Sequence, residues 1–107
     1  MPHYLLEAAY TAEGWAALVK SPQNRIEAVR PAVEKAGGKI EAAYYAFGEA
    51  DVILIVDMPD NVSAAGMAIS FAAGGTLKSV KTTPLMTPEE ATEAMRKAGG
   101  TGYRPAT

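Results

Sequence analysis

The chain has 107 residues, with ten Lys and Arg against twelve Asp and Glu, one His and no Cys. Apolar residues make up 49 % and charged residues 21 %, which is a globular balance and not that of a disordered chain. A net charge of −2 with scattered basic residues argues against a nucleic-acid surface, and the absence of Cys removes any disulfide framework.

No apolar run approaches the ~20 residues needed to span a bilayer, so no membrane partner is expected. Residues 2 to 9 are too short for a signal core and include Glu7, which makes the cytoplasm the expected location. The length corresponds to a single domain, 1–107, with a core at about 3–85, a C-terminal helix at about 87–98 and a tail at 99–107.

His3 to Tyr10 reads as the first strand, with Tyr4, Leu6, Ala8 and Tyr10 on one face and His3, Leu5, Glu7 and Ala9 on the other. Thr11 is a helix N-cap, and Trp15, Leu18 and Val19 follow on one side. Ser21-Pro22 predicts a restart, with serine capping and proline at the first helical position. Ile26, Val29, Val33 and Ala36 then recur at helical spacing, and Pro31 should kink or break the helix near Arg30. Gly37-Gly38 ends it.

Lys39 to Phe47 and Asp51 to Asp57 are the second and third strands, joined as a hairpin through Gly48-Glu49-Ala50. Asp60 or Asn61 caps a helix that runs to about Ala73, in which AAGMAISFAA is apolar all round and so should be buried all round. Leu77 to Thr83 is a polar edge strand closed by Pro84. Thr87-Pro88-Glu89-Glu90 is a capping box that opens the last helix, with Ala91, Ala94, Met95 and Ala98 as its inward stripe.

The order β-α-β-β-α-β followed by a helix predicts an α+β, ferredoxin-like fold. Its antiparallel four-stranded sheet has β1 and β3 central, helices on one face and the other face open. VILIV, residues 52 to 56, does not alternate with polar residues. Val52, Leu54 and Val56 face one side while Ile53 and Ile55 face the other, and leaving both isoleucines in water would forfeit ~1.5–3 kcal/mol each. The expected cover is a second copy of the chain, packed sheet against sheet.

Three stretches resemble the GYD domain family, which is related to the dimeric α/β-barrel group. TAEGWAALVKSPQNR is similar to its Thr-x-x-Gly segment with Ser-Pro and Arg. AGGKIEAAYYAFGEAD is similar to its Gly-Gly-Lys turn and Gly-x-Tyr-Asp signature, and VDMPDN to its strand end. The resemblance covers about residues 3 to 85 and leaves the last helix outside. Gly48 and Asp51 stand, whereas the signature tyrosine is Ala50. The resemblance implies the same ferredoxin-like fold and pairing through sheet faces, and it supplies no activity. Related barrels include cofactor-independent monooxygenases and isomerases, which is likeness of fold alone.

Among residues that could carry chemistry, Glu7 stands mid-strand in a central strand. It is either a base with its pKa raised by desolvation or the partner of a basic residue on a neighbouring strand. His3 shares its face. With one histidine and no carboxylate cluster in the linear sequence, no metal ligand set is expected, and no cofactor is implied. Tyr44 and Tyr45 point to opposite faces, so one of them meets the open side, where Leu5, Ile53 and Ile55 would line a pocket. Arg25 either holds a carboxylate or pairs with Glu27 or Asp60, and Asp51 is expected to cap backbone N–H groups of the hairpin turn. AGGTLKS has its glycines after a helix and before a strand, the reverse of a phosphate-binding loop.

Three functions remain open. One is a small oligomer binding an apolar or aromatic metabolite at the open sheet face. The second is a cofactor-independent monooxygenase or isomerase using Glu7 with His3 or a tyrosine. The third is a structural or regulatory oligomer without a ligand.

Overall fold

A computed structural model describes residues 1–106. In chain order the elements are β1 (His3–Tyr10), α1 (Ala12–Lys20), α2 (Arg25–Lys35), β2 (Lys39–Tyr45), β3 (Val52–Asp57), α3 (Asn61–Ala73), β4 (Leu77–Leu85) and α4 (Pro88–Gly99). Alternation along the central strands decides the two faces of the sheet. Tyr4, Leu6, Ala8 and Tyr10 of β1 are buried together with Val52, Leu54 and Val56 of β3. Ile26 and Val33 of α2, Ala64 and Met67 of α3, and Met58 complete this core. The strand order is β2-β3-β1-β4, antiparallel throughout. The fold is therefore α+β and ferredoxin-like, with an open antiparallel sheet whose edges are β2 and β4.

Several local expectations are revised. Ser21 and Pro22 do not begin a helix. Ser21 ends α1, donating its N–H to the Ala17 carbonyl, and α2 starts three residues later under Asn24, whose side chain accepts from the Ile26 N–H. Asparagine is as good a cap as serine, so the cap site was underdetermined by residue type. Pro31 neither ends nor splits α2, which runs on to Lys35. Pro31 is exposed, so the Glu27 carbonyl it leaves unpaired one turn earlier faces water. β4 passes through Pro84 to Leu85, which an edge strand tolerates because one side of its ladder has no partner. β2 stops at Tyr45 and carries a bulge: Ile40 pairs with Val56 and Ala42 with Ile55, leaving Glu41 as the extra residue.

The two apolar helices also differ from expectation. Only Ala64 and Met67 of α3 are buried, and Ile69 is 67 % exposed. No residue of α4 is buried, and of its expected inward stripe only Ala91 is half-buried while Ala94, Met95 and Ala98 are exposed. The capping box at Thr87 and Glu90 forms as the sequence predicts, so α4 starts where expected. The molecule is elongated, 57 × 34 × 21 Å, with a radius of gyration of 17.1 Å against about 13 Å for a compact chain of this length. No helix among the described residues is long and apolar enough to cross a membrane.

Candidate functional site

The uncovered sheet face carries His3, Leu5 and Glu7 from β1 beside Ile53, Ile55 and Asp57 from β3. Tyr44 stands opposite Ile53 from β2 and is 69 % exposed. Tyr45 stands opposite Val52 and belongs to the helix side. Glu7 is half-buried, with Ile53 across one ladder and Lys81 across the other. Leu5, Ile53, Ile55 and Tyr44 thus form one apolar strip.

The best-formed cleft lies on the opposite side, between the sheet and α2 and α3. Its volume is about 340 Å³. Leu6 and Leu54 form its floor, Ile26 and Val29 one wall, and Phe71 the other. Arg25 and Tyr10 are the two titratable groups in its lining. The expectation of a pocket at the open face did not anticipate this place, where α2 and α3 leave a gap over Tyr10, Val52 and Leu77 at the C-terminal end of β1.

The polar end of the cleft is held together by residues far apart in the chain. The Arg25 backbone N–H donates to the Tyr45 hydroxyl at 2.9 Å, which leaves the guanidinium free to turn elsewhere. The guanidinium reaches only the Gln23 side-chain oxygen, at 3.4 Å. Glu27, one of its expected partners, instead pairs with Arg30 at 3.1 Å. Among the described residues Arg25 meets no carboxylate within ion-pair distance. Burial, followed by the nearby Tyr45, holds the Tyr10 phenol above its usual range, so it remains a hydrogen-bond donor at neutral pH.

Tyr10 packs edge-on against Trp15, ring centroids 5.0 Å apart. Both are fixed by Asp51, whose carboxylate accepts from the Tyr10 backbone N–H at 2.9 Å and from the Trp15 indole at 3.2 Å. Asp51 thus has the structural role expected of it, but toward β1 and α1 rather than toward its own turn. That N–H lies where the β1–β4 register shifts, between Ala9 and Tyr10, so the ladder leaves it for a side chain to satisfy. No short-range motif signals a contact across 41 residues.

A second cluster sits at the far end of the open face. His3 Nδ1 lies 2.6 Å from Asp57 and 3.0 Å from Glu41. Hydrogen bonds to Glu41 and then to Asp57 raise the imidazole pKa above its ordinary value. Burial pushes the Asp57 pKa up, but hydrogen bonding with Glu41 and His3, and the charges of His3 and Lys39, outweigh it and leave the carboxyl below its usual range. His3 is therefore not the free terminal side chain that its position suggests. The sequence shows no carboxylate cluster, yet three adjacent strands assemble one.

A family model described as GYD domain matches residues 4–95. The match runs past the 3 to 85 suggested by the motifs and takes in most of α4. No curated protein matches the sequence.

Proposed function

The chain belongs to the GYD domain family, and from that premise we propose that it binds a small apolar or aromatic molecule bearing an anionic group. The molecule would sit in the cleft between the sheet and α2 and α3. The observation that carries this reading is Arg25, a cation that meets no carboxylate among the described residues, at the rim of a largely apolar cleft. Such a site buries the apolar part of a ligand and orients it through one or two polar groups. Tyr10 adds a neutral donor beside the cation.

An enzyme of the cofactor-independent monooxygenase or isomerase kind needs a base at the substrate. Glu7 and His3 stand on the other face of the sheet, and the cleft lining has neither carboxylate nor imidazole. That favours binding over turnover. The test compares 2-naphthoate with neutral 2-naphthamide, followed through Trp15, the single tryptophan. Wild type should prefer the carboxylate, and Arg25→Gln should lose that preference by about tenfold, because a charge-assisted hydrogen bond contributes about 1.5–3 kcal/mol. An equal response to the two probes, or an unchanged preference in the variant, would overturn the reading.

The uncovered face supports a second element, self-association. Leu5, Ile53 and Ile55 form a half-buried apolar strip on the open sheet face, and α4 presents an apolar stripe with no fully buried residue. Both surfaces belong to every copy, so two copies can cover each other's. Sedimentation should give a dimer or larger species for wild type and a monomer for the Ile53→Lys, Ile55→Lys double variant. A monomeric wild type at high concentration counts against it.

A further inference from the structure

We propose that His3, Glu41 and Asp57 form a binding site for a divalent first-row transition ion such as Mn²⁺ or Zn²⁺, on the open sheet face and separate from the cleft. One imidazole nitrogen and one oxygen from each carboxylate lie within 4.8 Å of one another. Two separations, 2.6 and 3.0 Å, converge on His3 Nδ1. Donors bound at about 2.0–2.2 Å sit about 3 Å apart in neighbouring positions around an ion, so the spacing needs only a small adjustment.

The arrangement is set by the strands. His3 of β1 and Asp57 of β3 are direct ladder partners and share a face. Alternation along β2 puts Glu41 on the same face as Lys39, which pairs with Asp57, while Ile40 pairs with Val56 on the helix side. The bulge leaves Glu41 without a ladder partner of its own, and its carboxylate reaches His3.

Proton arithmetic favours an ion here. Nδ1 carries at most one N–H for two carboxylate acceptors, so a single hydrogen must serve both. Lys39 approaches Asp57 only at 3.9 Å. A divalent cation would satisfy all three ligands and balance the two carboxylate charges, with the imidazole neutral and Nδ1 as the ligand atom. One imidazole with two carboxylates suits Mn²⁺ or Zn²⁺ better than Mg²⁺, which favours an all-oxygen shell. Three protein ligands leave the remaining positions to water.

His3 is the only histidine, so in tag-free protein its ring signals in an NMR spectrum are unambiguous. Substoichiometric Mn²⁺ should broaden them, and one equivalent of Zn²⁺ should shift them, while Mg²⁺ at the same concentration should not. Glu41→Gln and Asp57→Asn should each weaken Zn²⁺ binding about tenfold or more, since even outer-sphere partners of a metal ligand are worth 10–100-fold. Glu41 is exposed, so its variant tests the site without threatening the fold. Ring signals that stay unmoved in excess Zn²⁺ would overturn the proposal. So would an equal response in wild type and both variants, which would mark a lone surface imidazole.

Discussion

Replacing Leu54 by alanine should lower the free energy of unfolding by about 2–5 kcal/mol, the range for deleting a buried leucine side chain. Leu54 is 2 % exposed in the middle of the central strand β3, with Leu6 across one ladder and Ala43 across the other. No neighbour can refill the space, because strands hold it on both sides and the cleft opens above it. For a domain of this size each kcal/mol corresponds to about 4–8 °C in midpoint, so the loss is readable by thermal or urea unfolding. The same truncation at Ile53, one residue earlier on the open face, should cost less in a dilute monomer because that side chain is only half buried. A Leu54→Ala loss under about 1 kcal/mol would mean that the cleft face is not the core. The variant should also deepen the cleft, so a bulkier aromatic carboxylate should gain affinity relative to 2-naphthoate.

Gly38→Ala should be the most damaging of the glycine substitutions. A Cβ at that position meets the Met58 sulfur and the Asp57 carbonyl oxygen, and the second of these is backbone that cannot swing aside. Overpacking of this kind costs about 1–3 kcal/mol and sometimes more. The glycine is needed because Asp57 and Met58 at the end of β3 lie against the backbone just before β2, and the displacement would reach the Lys39–Asp57 pair. Gly48 is the control. It stands in the family signature, but a Cβ there meets nothing within 4 Å and its backbone is not in the left-handed region. Gly48→Ala should change stability by no more than about 0.5 kcal/mol. A large loss at Gly48, or none at Gly38, in urea unfolding would contradict these packing assignments.

The GYD signature therefore divides in its physical roles. Asp51 ties β1 and α1 together through Tyr10 and Trp15. Gly48 has no steric requirement in the single chain, and Phe47, just before it in the turn, is wholly exposed. A second copy packed against the hairpin would give Gly48 and Phe47 a partner, and the self-association experiment bears on that directly.

What the sequence determined by itself was whatever depends on local periodicity and capping. The two-residue repeat of β1 and β3 fixed which side chains meet the helices. The Thr87 capping box fixed the start of α4, and the element order fixed β1 and β3 at the centre of the sheet. Local rules failed where two residue types compete for one role, as with Ser21 and Asn24, or where exposure relaxes a penalty, as with Pro31 and Pro84. Tertiary structure alone decided the sites. The Asp51 carboxylate finds a backbone N–H 41 residues away because a strand register shifts there. Among the described residues Arg25 meets no carboxylate, because Arg30 takes Glu27. His3, Glu41 and Asp57 meet because three neighbouring strands bring them to one end of the open face. Pairing across strands, bulges and competition for partners are properties of contacts distant in the chain, and no local spacing encodes them.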